Sequence, residues 1–454
     1  MKYLSIPIIL LLFTSSFADV KNDTLSLLPV TPKPDSTVSE QPPSEPFAWG
    51  DFTWLNGNDR RHSALLDSKY FTGSVLLDAN YTISNQHPID HTVVGSTALS
   101  RDNEFTLSFL GLGGDFHYDN VHARVMLQYG TRATGVPRND ASVTHGQFDL
   151  ANAYRYFSEA NAGYHFDVWH GLNVDAGIFM SYIGLFSYYA AENWAYQQSF
   201  TSDNTPWFFN GLRIQVFPSD RLKIELWLVN GWQAYAKFNN GPGIGFQAMW
   251  RPDEWISLVS NNYYGTDTPD KPDRIRVHTD NSIQIRYLNQ PGSYFHRAAF
   301  SVTGDLGYEK GDGVSGLSGG DEGPKQFFNS WMIYHRLWMA NDHIGWTFGG
   351  GYINNPGRYL VLLPTGNGGA SPFTTNPGDQ FHGWDISTTL DWMPKENITW
   401  RAEIVSRHSD VDYFAGPGGV TSPDGYTTTP LPADWKPSLV KSESRFIGAL
   451  LVRF

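Results

Sequence analysis

The side chains in this sequence that could do chemistry are arginines and carboxylates set at alternate positions among apolar neighbours. Arg124, Arg132, Arg155, Arg213, Arg286, Arg401, Arg407 and Arg445 form the cationic set. Asp78, Glu159, Asp175, Glu225, Asp280, Asp305, Asp385, Asp391 and Glu403 form the anionic one. Charges of both signs on one face of a wall steer ions and polar solutes through water and form no covalent bonds. The competing reading is that they are ion-pair ladders that only stabilise the wall, and the residues alone leave both open. Covalent chemistry finds less support. Gly316-Leu317-Ser318-Gly319-Gly320 has the letters of a nucleophile elbow, but it lies in a glycine-rich loop and not between a strand and a helix. Glu309, Asp312, Asp321 and Glu322 in the same loop read as a solvated acidic loop before a cation site. His87, Asp90 and His91 lack a third fixed ligand. No catalytic group, metal site or cofactor is expected.

The elements that must carry these charges are strands. Phe71, Gly73, Val75, Leu77, Ala79, Tyr81 and Ile83 make one face, and Thr72, Ser74, Asp78, Asn80 and Thr82 the other. The same period of two runs through 121–130, 172–181, 222–228 and 383–392. Between 327 and 338 the phase is not clean. Charges keep to one face, as they must if the other meets lipid, where a midplane arginine costs about 2–4 kcal/mol. Alternation alone also fits a soluble sandwich.

The links between strands favour a membrane barrel. Brief links at Asp119-Asn120, Asp167 to Gly171, Pro218-Ser219-Asp220, Arg251 to Glu254, Asn289 to His296, Ala340 to His343 and Met393 to Asn397 alternate with long ones. Short turns on one rim and long loops on the other give about sixteen antiparallel strands, with both ends on the periplasmic side. The predicted fold class is therefore all-β, a transmembrane antiparallel β-barrel over residues 69–454. A barrel of that width encloses an aqueous channel unless a loop blocks it. Tyr118, Trp169, Phe217, Trp250, Trp255 and Trp392 flank the short links, where an aromatic girdle would sit; scattered core aromatics are the alternative.

Both chain ends agree. Lys2, the apolar run from Ile6 to Phe13 and Ser16-Phe17-Ala18 read as a signal peptide over 1–18, cleaved before Asp19. Its loss removes one lysine and takes the net charge from −13 to −14, which argues against a nucleic-acid partner. The chain has no cysteine, so neither a lipid anchor on a processed cysteine nor a disulfide can form. Residues 19–46 read as a disordered Pro/Ser-rich leader, and 47–68 as an aromatic segment that packs inside or beneath the barrel or adheres to its wall. At the other end Phe446, Gly448, Leu450, Val452 and Phe454 share one face of the last strand, and a terminal aromatic there resembles the signal read by barrel-assembly machinery.

One long link is too aromatic for a plain surface loop. From Tyr182 to Thr205 it carries Tyr188, Tyr189 and Trp194, together with Glu192 and Asp203. Folded inward, it would narrow the pore and set Glu192 and Asp203 opposite Arg124, Arg132, Arg155 and Arg213, with Glu159 beside them. Folded outward, it would cap the mouth. The stretches NDRRHSALLDSKYFTG, GGDFHYDNV, FDLANAYRY, VDAGIFMSYIGLFSYY and FTSDNTPWFFNGLRIQ resemble the OmpL-like β-barrel porin family of Gram-negative outer membranes. The resemblance runs from about Trp49 to Phe454 and is strongest before Pro252. It implies an outer-membrane pore in contact with lipid that passes small hydrophilic solutes or ions, and it supplies no residue-level motif. Porins of this size often form trimers, so a homotrimer is an expectation, as is weak ion selectivity. The rival functions are an adhesin or hydrolase on a barrel, and a soluble β-sandwich.

Overall fold

Alternating sequence becomes alternating burial along most long strands of the computed structural model, which describes residues 45–137, 140–315, 326–357 and 379–454. Residues Pro43–Phe454 form one compact unit. The expected signal peptide, nearly all of the leader, the elbow-like Gly316–Gly320, and Asp321 and Glu322 lie outside the described residues.

Sixteen long strands are present among the described residues. They are β1 (Phe71–Ser84), β2 (Phe105–Tyr118), β3 (Val121–Tyr129), β4 (Phe157–Phe166), β5 (Leu172–Met180), β6 (Phe208–Ser219), β7 (Leu222–Val229) and β8 (Gly243–Asp253). The second half holds β9 (Ile256–Gly265), β10 (Ile275–Asn289), β11 (Phe295–Gly311), β12 (Phe327–Met339), β13 (Ile344–Asn355), β14 (Phe381–Lys395), β15 (Ile398–Ser409) and β16 (Ser442–Arg453). Each pairs antiparallel with its neighbours in sequence, and β1 also pairs with β16, so the sheet closes with no free edge. The terminal residue helps to close it. Phe454 N donates to Val75 O at 2.8 Å, and Val75 N donates to Phe454 O at 2.9 Å.

Short turns alternate with long loops, as the sequence predicts. The turn at Asp119-Asn120 has Asp119 at φ +50°, the left-handed conformation a two-residue hairpin needs. Tyr118, Trp169, Trp250, Trp255 and Trp392 are exposed on the outer wall beside the short turns. Phe217 is the exception to the expected girdle. It shares the inward phase of Arg213 and Gln215 and packs against Phe47 inside.

β12 gives its phase plainly in three dimensions. Phe328, Ser330, Met332, Tyr334, Arg336 and Trp338 alternate inward, while Trp331, Ile333, His335 and Leu337 face out. The sequence hid this because its inward residues are mostly apolar too. They meet chain rather than water: Met332, Tyr334 and Trp338 form one core with Phe52, Trp54 and Leu55 of the N-terminal segment and with Phe186 and Trp194 of the loop after β5.

Candidate functional site: the filled lumen

Three pieces of chain fill much of the lumen, and the side chains that hold them there define the site. The first is the loop at 181–207, here L3. Tyr188 OH donates to Gln128 Oε1 at 2.8 Å and Tyr189 OH to Glu159 Oε1 at 2.7 Å, which fixes the loop to β3 and β4. It then crosses to the opposite wall. Arg401 of β15 donates to Asn193 O at 2.7 Å, and Glu403 accepts from the backbone of Tyr196 (2.6 Å) and Gln197 (2.9 Å). Asp385 of β14 accepts from Phe200 N at 2.9 Å and Ser199 Oγ at 2.8 Å. Tyr196 OH donates to Asp78 of β1 at 2.6 Å. Wall charges thus satisfy the backbone of a loop cut off from bulk water, where an unmet polar group costs about 1–3 kcal/mol. Beneath them Asp391 pairs with both Arg401 (2.6 Å) and Arg336 (2.8 Å).

The second piece is the segment at 47–62, which spans the rim bearing the short turns. Phe47 N donates to Asp220 O at 2.7 Å, and Arg221 lies over the Trp49 ring at 4.3 Å. Trp54 is fully buried and donates to Glu254 O at 3.0 Å. Asn56 N donates to Gln284 Oε1 at 2.8 Å, and Arg60 reaches Ile398 O and Thr399 Oγ1, both at 2.8 Å. Of the two placements the sequence left open, this segment takes the one inside or beneath the barrel. It also grips L3: Trp194 N donates to Asn56 Oδ1 at 2.8 Å, and Trp194 Nε1 to Trp54 O at 3.1 Å. Gly57, at φ +80°, donates to Glu192 O and approaches so closely that an added Cβ would fall 2.3 Å from Leu185 O.

The third piece is a lid from the opposite rim. Val94 of the first long loop and Tyr413, Phe414 and Val420 of the last pack with Phe200, Phe328 and Phe381. Arg407 and Arg445 donate to Gly95 O and Val94 O. Asp90, considered as a ligand, instead accepts from Val420 N at 2.8 Å.

The expected partners of the loop acids are corrected. Glu192 pairs with Arg453 of β16, and Asp203 faces Arg407 of β15 at 3.7 Å while accepting from Thr97 Oγ1 at 2.6 Å. They do not meet Arg124, Arg132, Arg155 or Arg213 across an aqueous gap, because L3 traverses the lumen and sets its acidic part on the far wall. Arg124 bonds Glu159 (2.8 Å) and Asp115 (2.7 Å), and Arg213 bonds Asp175 (2.9 Å). Arg132 and Arg155 are loop residues and not strand residues. Asp149 caps a helical turn at Leu150–Tyr154 just before Arg155, and Arg132 opens another, buried against the Tyr188 ring and donating to Tyr188 O. Glu309, read as a solvated loop acid, is buried and paired with Arg276 at 2.5 Å. Arg251, Arg297, Arg336 and Arg453 were not singled out. Period-two patterning alone does not tell which arginines turn inward to meet a buried partner.

Between these pieces and the wall, room remains. A cavity of about 250 Å³ lies beside β6–β10, and another of about 310 Å³ beside β2–β6, with Arg213 bordering both. The family model described as "Putative beta-barrel porin-2, OmpL-like" matches residues 70–452. The chain belongs to this family. It is therefore a porin of the outer membrane, forming a passive channel. No curated protein matches it. Among solved structures, an anion-selective porin from Comamonas acidovorans is similar at TM-score 0.50 and 10% identity, covering 85% of this chain and 99% of that one. OprB of Pseudomonas putida is similar at TM-score 0.49 and 12% identity, over 85% and 94%. The outer membrane channel DcaP of Acinetobacter baumannii is similar at TM-score 0.47 and 9% identity, over 86% and 100%. The first of these likenesses concerns the fold.

Proposed function

We propose that small hydrophilic solutes or ions pass this porin along the β2–β10 side of the lumen, with L3 as the constriction. The observation that carries this is that two of the cavities left beside L3 meet at Arg213. L3 is pinned to Glu403, Asp385 and Arg401 on one wall and to Gln128, Glu159 and Asn262 on the other, and the two cavities left along it both border Arg213. In this reading Arg124, Glu159 and Arg213 line the open path, and Tyr188, Tyr189 and Trp194 anchor the loop that narrows it. Glu192 and Asp203 act by holding L3 to β15 and β16. No covalent step is involved. Deleting residues 190–198 is expected to raise single-channel conductance in planar bilayers and to widen the solute-size cutoff. Unchanged values for both would place the constriction elsewhere.

Cleavage of the chain after Ala18 and assembly as a homotrimer complete the proposal. Intact-mass measurement of the outer-membrane protein tests the first, and chemical crosslinking in detergent the second.

A further inference from the structure

The cavity beside β6–β10 has a feature a plain wall does not need. Arg213, Lys223 and Arg251 line it with a single carboxylate, Glu225. Two of these cations are answered: Arg213 by Asp175, with bonds of 2.9 and 3.1 Å, and Lys223 by Glu225 at 2.9 Å. Arg251 is not. It is 7% exposed, its guanidinium sits in the corner made by the perpendicular rings of Phe47 (4.5 Å) and Phe52 (4.8 Å), and its Nε has no hydrogen-bond partner. Among the described residues no carboxylate comes within ion-pair distance of it.

Two further groups on the same cavity are open. Gln247 Oε1 and Asn56 Nδ2 have no partner, although the residues are only 4% and 2% exposed. Each uses its other amide atom: Gln247 Nε2 donates to Tyr182 O at 3.1 Å and Asn261 Oδ1 at 2.8 Å, and Asn56 Oδ1 accepts from Trp194 N. The orientations are thus fixed by the scaffold, leaving one acceptor and one donor unmet. Trapped water would satisfy the amides. It would not neutralise a buried cation, and two aromatic neighbours offset only part of that charge's desolvation.

We propose that this cavity is a binding site within the channel for a small polyhydroxylated solute bearing an oxyanion, carboxylate or phosphate. Arg251 meets the oxyanion, for which a guanidinium offers a planar pair of donors. Gln247 Oε1 accepts from a hydroxyl, and Asn56 Nδ2 donates to another. The proposal rests on the porin reading, because the solute arrives through the lumen. Asn56 belongs to the N-terminal segment and Tyr182 to L3, so two of the pieces that fill the lumen also build the site.

Isothermal titration calorimetry of the full-length protein in detergent, with gluconate, glucose 6-phosphate and glucose as probes, tests this. Saturable binding of gluconate or glucose 6-phosphate, with glucose inert, is expected, and which of the two binds tells carboxylate from phosphate. Arg251→Gln should weaken that binding about tenfold or more, as loss of a charged hydrogen-bonded contact does. Gln247→Leu keeps the cation and should also weaken it, and it carries the test if Arg251→Gln fails to show the gel mobility of a folded barrel. Binding of none of the three, equal binding of glucose, or unchanged binding in the folded variants would overturn the site. Conductance is read separately. Its absence would remove the porin reading while the calorimetric result stood.

Discussion

Arg401 and Asp391 do two things at once: they neutralise each other inside the wall, and through Asn193 O they hold L3 against it. Arg401→Ala should therefore destabilise the barrel and loosen the loop. Breaking a buried pair costs about 3–5 kcal/mol, and the low end is expected because Asp391 keeps Arg336. A lower temperature for heat-modifiable gel mobility together with higher, noisier conductance is the expected outcome. Other charges hold the N-terminal segment. Burial pulls the carboxyls of Asp51 and Asp59 up, but hydrogen bonds from Thr53 and Arg61 and the charges of Arg297 and Arg453 outweigh it, and both lie below the usual carboxylate range. An acid lowered by folding stabilises the fold above its ordinary pKa, and that contribution is lost as pH falls through the lowered value. The segment should stay seated from neutral pH down to about 5 and let go only below about pH 4. A cysteine at Asn58→Cys would be the only thiol in the chain, and its reactivity relative to a free thiol at the same pH reads the release.

At the scale of elements, the strands were legible because each separates two environments, and period-two burial follows from that alone. The turns were legible because two-residue links leave little choice of conformation. β12 was not, since its inward face meets Trp54 and Trp194 instead of water and both its faces are apolar. Arg132 and Arg155 were misplaced for a related reason: an arginine in a loop has no phase to betray it. The inward path of L3 was legible as an option from its rings, but its partners were not. The contact between Arg401 and Asn193 joins positions 208 residues apart, and nothing local encodes it. L3 and the 47–62 segment brace each other through Asn56, Gly57 and Trp194. Deleting either should raise conductance, and the double deletion should raise it by less than the two together, because the shared contacts are lost only once. Single-channel recordings of the three proteins decide this; strict additivity would mean that the two elements obstruct the lumen independently.

For the whole molecule the decisive event is closure of β16 on β1. Phe454 contributes a donor and an acceptor to that seam, both to Val75. Unmet backbone groups facing lipid cost several kcal/mol each. Removing Phe454 should impair assembly more than removing any long loop, measured as the heat-modifiable fraction in isolated membranes; normal assembly would count against the terminal seam. The neighbouring residue widens the point. Arg453 sits on the last strand to be made, yet its guanidinium meets Asp59, which precedes every strand, and Glu192, which is midway along the chain. These carboxylates lie where Arg453 can reach them only after the N-terminal segment and L3 have both been drawn in. Barrel closure is thereby coupled to its contents: an empty barrel would zip shut with a stranded arginine, and a loaded one would not. An Arg453→Ala chain should lose that discrimination and yield closed barrels whose segment at 47–62 is open to protease.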